Sequence, residues 1–280
     1  IKILGSSLEI EGNFKPFGIW SASGNGLISI AGYHIAGAQV NLSESGASIA
    51  GGLNLGLLNL NLSGTAKSNG EASLTGKSNV TLAGYTLAGA DFTLSNTKGL
   101  EFSGKVDVLG VKVSMAGNWN NGTPVLEGQA SLKLAGYDLT NAEITLTKAK
   151  LKAKGELNLL GTKIDVSVVI SSNGSFSVSG NASLKVMGYT ISNASFALSP
   201  AGVTLAGKVK VGPVNASISG QIKADGTISL TGKQSLSLGG YTLSKADLTL
   251  DNKGLRASGG IDVGVVDANV SGDVQTNGAY

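Results

Sequence analysis

Apolar and polar residues alternate along most of this chain. In the run from Leu151 to Leu159, Leu151, Ala153, Gly155, Leu157 and Leu159 fall on one side, and Lys152, Lys154, Glu156 and Asn158 on the other. A period of two places these sets on opposite faces of a β-strand, one dry and one wet. The same pattern predicts strands over 85–94, 100–108 and 111–119, and a fourth running from 123 to 134. Gly, Ser, Thr, Val and Asn fill these segments, and they are poor helix formers. The expected fold class is all-β.

The pattern also repeats. Gly-Tyr stands at Gly32-Tyr33, Gly84-Tyr85, Gly136-Tyr137, Gly188-Tyr189 and Gly240-Tyr241, a constant step of 52 residues. A second marker keeps that step: Asn69-Gly70, Asn121-Gly122, Asn173-Gly174, Asp225-Gly226 and Asn277-Gly278. The first copy has Phe17-Gly18 there instead. Residues 1–280 therefore read as one continuous array, with units 32–83, 84–135, 136–187 and 188–239 and partial units 1–31 and 240–280. Copy two carries a one-residue insertion near Thr97-Lys98 and a compensating deletion before Asn121, as loop tips readily allow.

Each unit is expected to hold four strands. Asn-Gly between alternating runs is a strong hairpin signal, with both turn residues at positive φ. The other joints, such as Leu160-Gly161 and Ser199-Pro-Ala-Gly202, are equally short. Parallel pairing needs crossovers of a dozen residues or more, so the sheet should be an antiparallel meander.

Glycine recurs in mid-strand on the apolar face. The second strands carry Gly51, Gly104, Gly155, Gly207 and Gly259; the third and fourth have their own series, among them Gly64, Gly117, Gly220, Gly128 and Gly232. The first strand instead shifts phase, from Leu139 to Ala142, Ile144 and Leu146, which is how a bulge looks in sequence. Together these predict a crease that folds each strand over its middle and buries the apolar face against itself. A sheet extended at ~4.8 Å per strand would then grow by about 19 Å per repeat.

Composition adds limits. The chain is 41% hydrophobic, 14% charged and 5% aromatic, with 42 glycines, so its apolar material is Leu, Val, Ile and Ala rather than bulky rings. The net charge of +3 is small and its basic residues are scattered, which leaves no nucleic-acid footprint. Absent cysteine excludes disulfides and thiolate chemistry. No apolar stretch approaches the ~20 residues of a membrane helix. Ile1 aligns with Leu53 inside a second strand, and Tyr280 follows the Asn277-Gly278 hairpin, so the chain is expected to be an internal stretch of a longer fibre.

Catalytic chemistry finds no foothold. The single histidine, His34, matches Thr86, Asp138, Thr190 and Thr242, so its position asks only for a polar residue. Gln39, Asp91, Glu143, Ser195 and Asp247 are likewise equivalent, and no carboxylate partner recurs at fixed spacing. Asp251, Asn252, Asp262, Asp267 and Asp273 gather in the last copy only, without the nonapeptide calcium pattern. We expect no enzyme, cofactor or metal. Asn-x-Ser/Thr motifs such as Asn41 and Asn215 matter only where the source glycosylates them. The Tyr row is expected to pack at strand ends with its hydroxyls in water; the alternative is a contact ladder for a neighbouring filament or a glycan.

Leu139-Thr-Asn-Ala-Glu-Ile-Thr-Leu146, Leu151-Lys-Ala-Lys-Gly-Glu-Leu157 and Leu243-Ser-Lys-Ala-Asp-Leu-Thr-Leu250 resemble the strand repeats of the AsmA/TamB family. That resemblance implies a folded β-groove with an apolar interior and, as in some members, periplasmic lipid transport. The regular 52-residue period is instead similar to giant bacterial surface or filament proteins. The leading expectation is thus an extracellular or cell-surface structural fibre that associates with its own kind. Alternatives are a lipid-binding groove and a repeat adhesin for glycans.

Overall fold

A computed structural model describes residues 2–14, 20–44, 46–238, 240–262, 267–277 and 279. All regular structure in it is strand. β1 (Lys2–Ile3) and β2 (Ser6–Ser7) form a small hairpin, followed by β3 (Glu9–Phe14) and β4 (Trp20–Ile30). Next come β5 (Tyr33–Ser43), β6 (Gly46–Asn54), β7 (Asn59–Ala66) and β8 (Ala72–Leu82). β9 (Tyr85–Ser95), β10 (Gly99–Val108), β11 (Val111–Asn120) and β12 (Thr123–Leu134) follow. Then β13 (Tyr137–Thr147), β14 (Leu151–Leu159), β15 (Thr162–Ile170) and β16 (Val178–Val186) continue the series. β17 (Tyr189–Ser199), β18 (Gly202–Val211), β19 (Val214–Lys223) and β20 (Ile228–Leu238) lead to β21 (Tyr241–Asp251), β22 (Gly254–Asp262) and β23 (Asp267–Val274).

Sheet order follows chain order. β3 to β15 form one 13-stranded sheet and β16 to β23 an 8-stranded one, and the registers are antiparallel. Between β15 and β16 only the bridge Ile170↔Phe176 remains, because β16 begins several residues after the Asn173-Gly174 turn. The chain divides into two compact units, Ile1–Gln129 with Glu143–Leu151, and Ala130–Ala142 with Lys152–Tyr280.

Short turns dictate the meander. Ala31-Gly32, Ala83-Gly84, Ala135-Gly136 and Met187-Gly188 each place both residues in the left-handed region, as do Leu109-Gly110 and Leu160-Gly161. Such two-residue turns match the twist of the strands they join. The Asn-Gly marker behaves differently from its sequence expectation. Only Asn121-Gly122 has both residues left-handed, at φ 46° and 78°. At Asn69-Gly70, Asn173-Gly174 and Asp225-Gly226 the glycine alone is left-handed. There Gly70, Gly174 and Gly226 donate to the carbonyls of Lys67, Ser171 and Lys223, which closes a turn one residue longer. The deletion before Asn121 explains the exception, since a shorter loop leaves room only for the two-residue turn. Gly278, Phe17-Gly18, Ile1 and Tyr280 lie outside the described residues.

Each unit has its own dry interior. In the first, Ile28, Ile35, Leu74, Leu94 and Trp119 are fully buried; in the second, Ile191, Leu198, Val211, Leu230 and Leu250 are. Phe92 stacks on Phe102 with ring centres 5.3 Å apart, and Trp119 tilts against Phe102 at 5.6 Å. Offset and tilted ring pairs add to what their buried area contributes.

Candidate functional site

Two rows of residues dominate the repeat: the mid-strand glycines and the strand-end tyrosines. The glycines stand beside bulges. Ala36 pairs with Gly52 and Gln39 with Ala50, so Gly37 and Ala38 together face Gly51. Asn193 and Ala194 face Gly207 in the same way, and Lys245 and Ala246 face Gly259. Two residues opposite one define a β-bulge, which bends and twists its strand. Its first residue is left-handed in every copy: Gly37, Gly89, Asn141, Asn193 and Lys245, at φ between 49° and 59°.

Glycine opposite the bulge is a requirement of space. A Cβ on Gly51 would lie 2.6 Å from Ile35 Cγ2, and on Gly207 2.6 Å from Ile191 Cγ2. On Gly155 it would come within 2.8 Å of the Thr140 carbonyl, and on Gly104 or Gly259 within 3.0 Å of Leu87 Cδ2 or Ala246 Cα. Between third and fourth strands the approach is tighter still. A Cβ on Gly117 would sit 1.9 Å from the Val125 carbonyl oxygen, and on Gly220 2.1 Å from that of Ser229. The bulge's displaced amides are partly capped across the sheet: Gly89 N–H donates to Asn79 Oδ1 at 2.7 Å.

The tyrosines begin β5, β9, β13, β17 and β21, each after a left-handed glycine: Gly32, Gly84, Gly136, Gly188 or Gly240. Their hydroxyls were expected in water. Instead the Tyr33 hydroxyl donates to the Trp119 carbonyl, and the Tyr189 hydroxyl to the Val274 carbonyl at 2.7 Å. Gly117 and Gly272 precede these acceptors by two residues, so Trp119 and Val274 occupy equivalent places in their copies. Burial pushes the hydroxyls of Tyr33, Tyr85 and Tyr137 above the usual phenol range.

These bonds set the curvature of each unit. β5 and β11 stand six places apart in their sheet, as do β17 and β23 in theirs. Six spacings of a flat sheet would span about 29 Å, far beyond a tyrosine's reach. Within each unit the sheet therefore coils until strands six apart meet. The growth of 19 Å per repeat expected from flat stacking does not apply across these strands.

Some features were not evident in the sequence. Asn96 accepts from the Ala72 amide at 3.0 Å and donates to the Gly70 carbonyl at 2.8 Å, stapling one turn to the next hairpin. Asn252 repeats this with Ile228 and Gly226. Glu44, Lys148 and Pro200 hold the place in the other copies, so the period hides the staple.

Polar chemistry stays on the wet face. His34 Nδ1 meets Ser29 Oγ at 2.7 Å in an exposed pair. Asp91 pairs with Lys77 at 2.8 Å and Asp247 with Lys233 at 3.2 Å, both exposed. Exposed pairs of this kind contribute little. Asp251 takes the Lys253 amide and the Arg256 guanidinium, and these hold its carboxyl below the usual range. Among the described residues no three His, Asp or Glu side chains are grouped to hold a metal, and no helix is long and apolar enough to cross a membrane. A surface hollow of about 750 Å³ lies over Glu9, Glu11, Ser23, Asn25, Gln39 and Asn41, on polar ground. No family model matches the chain, and no curated protein or solved structure was found to be similar to it.

Proposed function

We propose that this chain is a structural module of an extracellular or cell-surface fibre, a repeat that associates with more of its own kind. The observation that carries this reading is the closure of the sheet on itself. In the first copy the Tyr33 hydroxyl reaches a third strand six places on, and in the fourth the Tyr189 hydroxyl does the same. Side chains, not an open channel, then fill the space behind the Tyr row: Ile35, Ile49 and Trp119 in one unit, and Ile191, Leu205 and Ile218 in the other, are almost wholly buried. A lipid conduit needs that space free. A self-packed coil of short, tightly turned strands instead suits mechanical and spacing roles, and its wet face of Lys, Asn, Ser and Thr suits a hydrated surface.

Negative-stain electron microscopy of the purified native assembly tests this. Long, uniform fibres labelled by antibody to this repeat agree with it. A small, discrete particle carrying bound lipid in stoichiometric amount contradicts it.

A further inference from the structure

The third copy departs from its neighbours at one residue. Third strands carry a glycine where the fourth strand closes on them: Gly64 in β7, Gly117 in β11 and Gly220 in β19. The equivalent residue of β15 is Val168. Elsewhere that glycine is a requirement of space. A Cβ on Gly64 would lie 2.0 Å from the Ser73 carbonyl oxygen, on Gly117 1.9 Å from that of Val125, and on Gly220 2.1 Å from that of Ser229. These are backbone atoms of the paired strand, so only glycine admits them.

The ladder fails at that residue. Between β19 and β20, Gln221 pairs with Ser229, Gly220 with Leu230 and Ser219 with Thr231, and β7 and β8 pair alike around Gly64. The corresponding pairs of the third copy would be Val169 with Ser177, Val168 with Val178 and Ser167 with Ser179. None of these three forms; only the bridge Ile170↔Phe176, one step nearer the turn, survives. Ser177 is the equivalent of Ser73 and Ser229, whose carbonyls crowd the glycine. It belongs to no strand, and β16 begins only at Val178. On their other sides both strands are held: β15 lies beside β14, and Val178 and Ser179 pair with Leu198 and Ala197 of β17. Val168 and Val178 are also buried. The third copy thus keeps its dry face and loses its ladder. We propose that Val168 makes the step from β15 to β16 a built-in seam, where the sheet opens first and where a fibre of such repeats yields to bending or tension. Packing of apolar side chains is non-directional and permits small displacements, whereas a ladder of hydrogen bonds fixes one register.

The seam's role in a fibre rests on the structural reading above, but the seam itself does not, and the test keeps them apart. Native-state hydrogen exchange is followed residue by residue on the full chain in dilute solution. The seam-side amides of 167–169 and 177–179 should exchange at least about tenfold faster than their equivalents in 219–221 and 229–231. Val168→Gly should slow them by about the same factor, and Val168→Ala should not, because the obstruction begins at Cβ. Should Val168→Gly fail to fold for want of its buried side chain, Gly220→Ala carries the test. It should speed exchange in 219–221 and 229–231 toward the rates of the third copy. Equal protection in the third and fourth copies would overturn the seam. So would a folded Val168→Gly or Gly220→Ala variant whose local rates match those of the unaltered chain. Fast exchange at 167–169 in a protein that never forms fibres would support the seam while contradicting the fibre reading.

Discussion

The hydroxyl of Tyr189 bonds the carbonyl of Val274 across 85 residues of sequence and six strands of sheet. Tyr33 does the same to Trp119 in the other unit. Each bond closes its unit's coil, and each removes a polar group from water at low cost because its partner is a backbone carbonyl. Tyr33→Phe and Tyr189→Phe should therefore each lose roughly 0.5–1.5 kcal/mol in urea unfolding of dilute protein. Tyr241→Phe, at an exposed ring, should change the same midpoint hardly at all. Equal effects at all three positions would show that the hydroxyl bonds do not hold the coil.

The glycines opposite the bulges should be intolerant of branching. Gly207→Val would drive a side chain into Ile191 and the Ala194 backbone, and overpacking of this kind costs about 1–3 kcal/mol. Gly226→Asn provides the contrast, since nothing lies within 4 Å of a Cβ there and asparagine tolerates the left-handed region. Thermal unfolding of the two variants should rank them clearly, with Gly207→Val the less stable.

The asparagine staples lend themselves to removal and to grafting. Asn252→Ala deletes two hydrogen bonds at once, so it should cost about 1–3 kcal/mol at roughly 0.5–1.5 kcal/mol per bond. Pro200→Asn places the same residue at the equivalent point of the fourth copy, beside the Asn173-Gly174 turn, which closes as those at Gly70 and Gly226 do. Chemical denaturation should show a loss for the first variant and a gain for the second.

Acid should weaken the turns near the last copies. Backbone amides hold the carboxyls of Asp225 and Asp251 below their usual range: Thr227 N–H for the first, Lys253 N–H and then Arg256 for the second. A carboxyl lowered in the folded state adds stability that is present above its unfolded value and lost as pH falls through the folded one. Melting temperatures should fall as pH drops below about 4, and Asp251→Asn should flatten part of that slope. A slope unchanged in that variant would assign the acid sensitivity elsewhere.

Much of the architecture could be read from the residues. Strands predicted over 85–94, 100–108 and 111–119 are found as β9, β10 and β11 within one residue at each end. Alternation and short glycine turns are local signals, and antiparallel meanders are built from local pairs. The step from Leu139 to Ala142 marked the bulge, where Asn141 takes φ 50°. Turn geometry was less legible. Ala83, Leu109 and Met187 enter the left-handed region against their intrinsic preference, because a two-residue connection between twisted strands demands it. Coiling of the sheet was not legible at all. No pairwise pattern reports a contact between strands six apart: Tyr33 and Tyr241 each follow a left-handed glycine at the start of a first strand, yet the Tyr33 hydroxyl is bonded to Trp119 while Tyr241 is exposed.

The central claim is that the space behind the tyrosine row is filled by the protein's own side chains in a self-associating fibre. High-resolution cryo-electron microscopy of the native assembly measures this directly. The predicted map shows Ile35, Ile49 and Trp119 in mutual contact, with their counterparts packed alike in every further copy of the repeat. Continuous acyl-chain density between the walls of the sheet, with those side chains splayed around it, would contradict the account.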